Sequence, residues 1–219
     1  MDYQAGAITI FKDEEFLLML AAAGMERWYG ICPAEGDDML QSDKSFNSSL
    51  ASLYRKQVIE WGKSKAHVSE EYRPVFEALR SAKTCLLIKT RERPGYIKGC
   101  YFSGDSVVSI ERRTASSDEL EVGLSSREGW LDEMKDPGYL PEEGLETDEG
   151  SAVDAAEGET VAEFELRSVP DGELLKACRI IEKGLYVILE TDDGASTVRG
   201  EYSSGRAADL LKEWSGGEK

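Results

Sequence analysis

The sequence offers few groups for acid–base or nucleophilic catalysis near neutral pH. His67 is the only histidine among 219 residues and lies in a polar stretch between two predicted helices, so we interpret it as an exposed linker residue. The chain has no G-x-S-x-G nucleophile elbow, no G-x-x-x-x-G-K-[ST] phosphate loop and no G-x-G-x-x-G fingerprint. We therefore expect a protein that is not an enzyme and binds no cofactor.

Cysteines and long apolar runs are also scarce. Cys32, Cys85, Cys100 and Cys178 are widely spaced and include no C-x-x-C pair, which favours buried reduced thiols over a zinc or redox site. No segment approaches the ~18 to 20 apolar residues of a membrane helix, and the first residues do not resemble a signal peptide. We expect a cytoplasmic protein with no metal site and no membrane contact.

Positive charge is in the minority. The chain has 26 Lys and Arg against 43 Asp and Glu, which gives a net charge of −17. A field of this sign repels the phosphates of nucleic acids, although acidity also serves solubility. The charge disfavours a nucleic-acid ligand and is compatible with a neutral or basic protein partner.

Three helices are predicted before residue 84. The first is DEEFLLMLAAAG, which starts at Asp13. The second runs from about Ser45 to Trp61, and the third runs from Ser69 through Lys83. Their apolar residues recur at helical spacing, and Trp61 and Trp130 are both assigned to apolar stripes that face a core.

A pattern typical of strands begins at Thr84. Four extended segments, TCLLIKT, YIKGCYF, SVVSIER and ELEVGL, are followed by a short helix that Ser125-Ser126 can cap. The pattern returns after Val161 as VAEFELRS, ELLKACRII, LYVILET and STVRGEY, followed by a helix after Ser203-Ser204. The same unit of four strands and one helix thus occurs twice, offset by roughly eighty residues.

These segments predict an α+β fold with a duplicated antiparallel four-strand meander plus helix, pseudo-two-fold, and an N-terminal helical segment. We expect two four-strand sheets that pack on each other or on the N-terminal helices. The predicted units are the N-terminal helices with the first sheet-helix unit (1–135), an acidic linker or long loop (136–160) and the second sheet-helix unit (161–219).

The predicted linker is defined by its charge. Residues 136–163 contain ten acidic residues and no lysine or arginine, a composition that favours a mobile segment over a packed one. An acidic arm that docks on a basic partner is the alternative interpretation.

Two aromatic residues are candidates for contact with a protein partner. Trp28 and Tyr29 lie just beyond the first predicted helix, where a loop of mixed polarity begins. Aromatic residues in such positions often anchor interfaces, and packing between helix and sheet is the alternative role.

The order of segments resembles a known family. The opening ITIFKDEEFLLMLAAAG, two further helices, a meander, a helix and a second related sheet-helix unit resemble the EspG-type chaperones of type VII (ESX) secretion systems. The resemblance spans most of the chain, and no binding residue is transferred from it. It implies a pseudo-two-fold fold with two sheets, and a cytosolic adaptor or chaperone that keeps a helical-hairpin secretion substrate soluble and competent for export.

Two other functions remain open at this point. Small acidic α+β proteins can act as immunity proteins that neutralise a basic toxin by electrostatic complementarity. An enzyme could also assemble its site from scattered carboxylates. The partner distinguishes the binding functions, since a chaperone binds a helical exported protein and an immunity protein binds a catalytic toxin domain.

Overall fold

The computed structural model describes most of the chain in eight stretches. They are residues 9–22, 43–63, 65–93, 97–113, 118–136, 138–141, 158–183 and 186–216. Trp28, Tyr29 and Cys32 lie outside these stretches, as does the greater part of the predicted linker, residues 142–157. The expectations for those residues stay predictions.

The described residues form five helices and eleven strands. The helices are α1 (Asp13–Ala22), α2 (Asp43–Arg55), α3 (Arg73–Ser81), α4 (Arg127–Met134) and α5 (Ser204–Ser215). The strands are β1 (Thr9–Lys12), β2 (Ile59–Trp61), β3 (Ala66–Val68), β4 (Thr84–Thr90), β5 (Lys98–Ser103), β6 (Ser106–Arg112), β7 (Glu119–Ser126), β8 (Glu159–Ser168), β9 (Leu174–Lys183), β10 (Tyr186–Asp192) and β11 (Thr197–Glu201). This mixture agrees with the predicted α+β class.

Nine strands form one antiparallel sheet in the order β1-β7-β6-β5-β4-β8-β9-β10-β11, and β2 and β3 form a separate hairpin. The strands β4 to β7 are consecutive neighbours, and so are β8 to β11. The prediction of two separate sheets is wrong, because β4 pairs with β8 along its whole length, from Thr84 opposite Ser168 to Thr90 opposite Ala162. This pairing removes two open edges that separate sheets would expose.

The first face of the sheet is covered by α4 and α5. Leu86, Phe164 and Leu189 of three strands pack there with Trp130 of α4 and Trp214 of α5. Strand residues from both sides of the β4–β8 junction belong to this core. The first face therefore holds the two sides of the molecule together.

The second face is covered by the N-terminal elements over only part of its width. Leu87 and Val108 pack there with Phe16 of α1, Leu53 of α2 and Leu79 of α3. Over β8 to β11, the buried apolar cluster among the described residues contains Ile181 and Ile188. The two faces are thus unequally covered by described elements.

The N-terminal helices differ from prediction at two ends. Helix α1 has the predicted position, but α2 ends at Arg55, and Ile59–Trp61 is a strand paired with β3. The assignment of Trp61 to the core is wrong, because its side chain is 57% exposed. Helix α3 begins at Arg73, with Pro74 in the first turn, where the missing N–H of proline costs nothing.

The helices on the first face begin at the predicted serines. The Oγ atoms of Ser126 and Ser203 accept hydrogen bonds from Gly129 N and Arg206 N, each at 3.1 Å. A side-chain oxygen at this position satisfies one of the free N–H groups of the first turn. Trp130 is fully buried, as its predicted stripe requires.

Side chains cap backbone groups at both edges of the sheet. At the β1 edge, Lys56 Nζ donates to Ile10 O and Lys12 N donates to Glu15 Oε2, both at 2.9 Å. At the β11 edge, Arg206 Nη1 donates to Glu201 O at 3.4 Å. These contacts occupy groups that another strand would need for pairing.

The described ends of the predicted linker are packed. Tyr139 and Leu140 are buried in the first-face core, and Tyr202 Oη donates to Pro141 O at 2.8 Å. At the other end, Glu159 is the first residue of β8. Any linker is therefore limited to the residues between these two anchors.

Candidate protein-binding groove

A groove between α4 and α5 combines apolar and charged groups. It has a volume of about 710 Å³. We call it the α4–α5 groove, and it is lined by Leu131 and Ala208 together with charged residues at its rim. It lies on the outer side of the helices that cover the first face.

Helix periodicity places its apolar residues. Trp130 and Met134 of α4 and Leu211 of α5 face the sheet and are buried. Leu131 and Ala208 are only partly buried and line the groove. Adjacent residues of a helix point about 100° apart, so Trp130 and Leu131 cannot both face the sheet.

The rim carries charges of both signs. Its basic residues are Arg127, Lys135 and Lys212, and its acidic residues are Asp105, Glu128, Asp132 and Asp209. Lys135 Nζ lies 2.7 Å from Asp132 Oδ1, and this hydrogen bond raises the pKa of Lys135. An apolar floor with a rim of mixed charge is the surface that an amphipathic helix fits.

Arg127 fixes the start of α4 at the mouth of the groove. Its backbone N donates to Asp105 O at 2.8 Å, and its guanidinium donates to Gly104 O. Its Nε is buried and has no hydrogen-bond partner among the described residues. The β5–β6 turn thus holds the N-terminal end of α4 against the sheet.

The second face over β8 to β11 carries paired charges. Lys89, Glu163, Arg179, Glu190 and Arg199 lie opposite one another in register on five neighbouring strands, so their charges alternate across the sheet. Glu190 lies 3.3 Å from the Arg179 guanidinium and 2.7 Å from that of Arg199. These charges satisfy one another, which is typical of a sheet face that meets water.

The neighbouring carboxylate Glu165 belongs to the same polar face. Burial raises its pKa, but hydrogen bonds from Arg167 and Lys89 lower the pKa by more than burial raises it. The pKa of Glu165 therefore lies below the ordinary value. The pKa of Lys89 is raised, since its contacts with Glu163 and Glu165 outweigh burial. Both groups therefore stay charged at neutral pH.

Two potentially reactive residues, Lys98 and Cys100, are buried in the described part of the chain. Lys98 is 5% exposed and lies 3.1 Å from Tyr139 Oη and 3.9 Å from Glu111 Oε2, with Glu133 also in contact. Burial lowers the pKa of Lys98, but the surrounding negative groups raise it above the ordinary value, so it remains a cation. Burial raises the pKa of Cys100 to about 12, so its thiol stays protonated.

His67 lies on β3 and not in a linker. It is exposed, as expected, and its Nε2 lies 3.7 Å from Glu60 Oε2. No group of three or more His, Cys, Asp or Glu residues within the described stretches could hold a metal ion. The structure thus brings His67 together with the carboxylate of Glu60.

Sequence reasoning did not identify the α4–α5 groove. The position of Leu131 next to Trp130 in the helix was an available signal that the two side chains point in different directions. The proposed partner residues Trp28 and Tyr29 lie outside the described residues, so their role stays a prediction.

Comparison with known proteins relates the fold to one solved complex. No protein-family model and no curated protein matches the sequence. The structure is similar to that of the Mycobacterium tuberculosis type VII secretion system chaperone EspG5 in complex with a PE25-PPE41 dimer, with a TM-score of 0.55 and 8% identity. The match covers 94% of this chain and 95% of the other. At this identity the likeness concerns the fold.

One further observation bears on the setting of the protein. Among the described residues, no helix is both long enough and apolar enough to cross a membrane.

Proposed function

We propose that this protein is a non-enzymatic cytoplasmic adaptor or chaperone that binds a helical segment of another protein in the α4–α5 groove. One observation carries the proposal: α4 follows β7 and α5 follows β11, so the two helices come from the two halves of the β4–β11 region, and together they form one groove with an apolar floor. The fold likeness to a secretion chaperone supports it. The partner we propose is a helical-hairpin type VII secretion substrate, kept soluble before export.

The duplication is part of the same proposal. Strands β4 to β7 with α4, and strands β8 to β11 with α5, would be two copies of one unit related by a pseudo-two-fold axis near the β4–β8 pair. The mirrored strand order on the two sides of that pair supports this. One helix from each copy would then contribute one wall of the groove.

The chemistry of the groove selects an amphipathic partner. Leu131 and Ala208 would contact its apolar stripe, and the charged rim would pair with its polar flanks. Specific interfaces bury at least roughly 1,000 Å², more than the groove alone provides. Trp28 and Tyr29 are proposed as further residues that contact the partner.

Co-expression tests the function directly. The protein is produced with helical-hairpin type VII substrates encoded in its own gene cluster, and a soluble complex is expected. Ala208→Arg places a long side chain in the groove and should weaken binding at least about tenfold. Ala51→Arg makes the same change on the exposed side of α2 and should change affinity by less than about twofold.

Two controls separate binding from folding. Thermal unfolding of both arginine variants should show that each remains folded. A folded Trp28→Ala/Tyr29→Ala variant that loses binding would support their role as anchors. Failure to bind any cluster-encoded substrate, together with turnover of a small molecule, would overturn the adaptor function in favour of an enzyme.

A further inference from the structure

A second concave surface lies at the C-terminal end of α2. It is an open cavity of about 550 Å³ between α2, β2 and the turn before α3. We call it the acidic cavity and define it by Tyr54, Ile59, Glu60, Ser69, Glu70 and Glu71, which all line it. Its residues belong to elements that cover the second face of the sheet, opposite to the α4–α5 groove.

The charge of the acidic cavity is negative. Three carboxylates line it, and Arg55 is the one basic residue among the described lining residues. Glu60 faces His67, which balances its charge only when protonated, and Glu70 lies 3.5 Å from Arg73. Glu71 has no ion-pair partner within the described part of the chain, so the cavity retains unbalanced negative charge.

A buried hydroxyl in the cavity wall also lacks a partner. Ser69 is 4% exposed, and its backbone is fully used: its N donates to Val58 O at 2.9 Å, and its O accepts from Tyr72 N and Arg73 N. Its Oγ is buried and has no hydrogen-bond partner among the described residues. A hydrogen-bond donor that enters the cavity would relieve the cost of leaving this hydroxyl unpaired.

An exposed aromatic ring accompanies these acids. Tyr54 is 52% exposed and lines the cavity. Aromatic faces attract ammonium and guanidinium groups, and exposed tyrosines are typical interface anchors. Negative charge, an unpaired buried acceptor and an aromatic ring all suit the same kind of group.

We propose that the acidic cavity binds a lysine or arginine side chain presented by a basic segment of a second protein. Charge complementarity selects this occupant, since the whole chain carries −17 and would attract a basic segment toward the cavity. The inference goes beyond the proposed function and does not depend on it. Because the groove and the cavity serve opposite faces, one molecule could hold two proteins at once.

The test uses the full-length protein labelled with ¹⁵N and a capped Ala-Arg-Ala-Arg-Ala peptide in about 0.15 M salt. Peptide addition should shift the amide signals of Glu60, Ser69 and Glu70. The matching Ala-Glu-Ala-Glu-Ala peptide should shift none of them.

Charge variants test whether the site is local. The triple variant Glu60→Gln/Glu70→Gln/Glu71→Gln should weaken binding of the arginine peptide at least about tenfold. The control variant Glu128→Gln/Asp132→Asn/Asp209→Asn removes the same charge from the α4–α5 groove and should change the affinity by less than about twofold. The proposal would be overturned if both triple variants weakened binding of the arginine peptide equally. It would also be overturned if the peptide shifted the amide signals of all acidic surfaces.

Ser69→Ala tests the hydroxyl separately. Because Oγ has no described partner in the free protein, the variant should unfold at the same or higher temperature and bind the arginine peptide several-fold more weakly. Unchanged affinity would remove Ser69 from the site. A groove variant such as Ala208→Arg should leave peptide binding intact, so failure of the adaptor proposal and failure of this one are distinguishable.

Discussion

At the scale of single residues, two acids of α1 hold buried positions through specific partners. Asp13 Oδ2 lies 3.0 Å from Arg112 Nη2, and Glu15 Oε2 lies 2.5 Å from Lys56 Nζ. Burial raises the pKa of Glu15, but hydrogen bonds from Lys56, Ser52 and the Lys12 backbone outweigh it and the pKa is lowered. Glu15 is therefore ionised although it is 1% exposed.

Lys56→Met should destabilise the protein by about 2 kcal/mol at pH 7, because it leaves the Glu15 carboxylate buried without its counter-charge. Because the pKa of Glu15 is lower in the folded protein than in the unfolded chain, its ionisation stabilises the fold at pH values above the unfolded pKa. This stabilisation is lost as the pH falls through the folded pKa. Urea unfolding between about pH 7 and pH 3 should therefore show the difference between the two proteins shrinking with acid.

Lys12→Met is the matched control. Its ion pair with Asp118 is 3.6 Å long and joins side chains that are 60% and 67% exposed. The change should cost less than about 0.5 kcal/mol at any of these pH values. A Lys56→Met difference that is constant with pH would show that lost packing, and not the Glu15 charge, causes it.

Residue roles followed from the sequence where local periodicity determines them. Trp130 lies on an α4 stripe with Met134, and it is buried as predicted. Trp61 has similar local spacing but lies in a strand, so helical periodicity wrongly placed its side chain in the core. The burial of Glu15 could not be predicted, since its partner Lys56 is 41 positions away in the chain.

At the scale of elements, the end of α2 has an unusual backbone. Gln57 has a φ of +59°, a left-handed conformation that glycine adopts most easily. Val58 N donates to Leu53 O and Gln57 N donates to Tyr54 O, both at 3.0 Å, which is the Schellman pattern of a helix C-terminus. Val58 and Leu53 are fully buried and provide its apolar contact.

Gln57→Gly should therefore stabilise the protein by about 1 kcal/mol, since it relieves the left-handed strain without losing a buried side chain. Ala51→Gly, in the exposed interior of the same helix, should have the opposite sign and cost about 1 kcal/mol. Chemical denaturation of both variants gives the comparison. A destabilised Gln57→Gly would mean that the Gln57 side chain contributes more than its backbone costs.

The type of each long element was predictable, and short ones were not. Strands β4 to β11 alternate or run apolar between clear turn signals, and Ser126 and Ser203 cap α4 and α5 as their positions indicated. Nothing local separates Ile59–Trp61 from the preceding helix, because no Gly or Pro marks the break. The left-handed residue there is a glutamine, which sequence rules treat as neutral.

At the scale of the whole molecule, the β4–β8 pair makes one sheet from two predicted units. The core of the first face contains residues from both sides of this pair, such as Leu86 and Ile180. Because the strands on the two sides of the β4–β8 pair share a core and continuous hydrogen bonding, both sides should unfold together.

Leu86→Ala, at a fully buried position of β4, should cost about 3 kcal/mol. Hydrogen exchange should show that amides of β6 and β10 lose protection at the same denaturant concentration in the wild type, and that the variant lowers both equally. Separate transitions for β6 and β10, or a shift of β6 alone, would show two independently folding units.

The joining of the two units could not be read from the sequence. Each meander follows from turns between neighbouring segments, but the β4–β8 register links residues such as Leu86 and Leu166 across the acidic segment. Alternation fixes which side chains share a face and does not say which strand lies beside which. The α4–α5 groove depends on the β4–β8 pairing, so the sequence could not predict the groove either.

The capped strands at the two ends of the sheet have a further consequence. Side chains already hydrogen-bond Ile10 O and Lys12 N at one end and Glu201 O at the other, so these groups are not available for pairing with a further strand. Each occupied group removes one hydrogen bond from any edge-to-edge pairing between copies of the chain, which favours contact with other proteins through the helices and sheet faces.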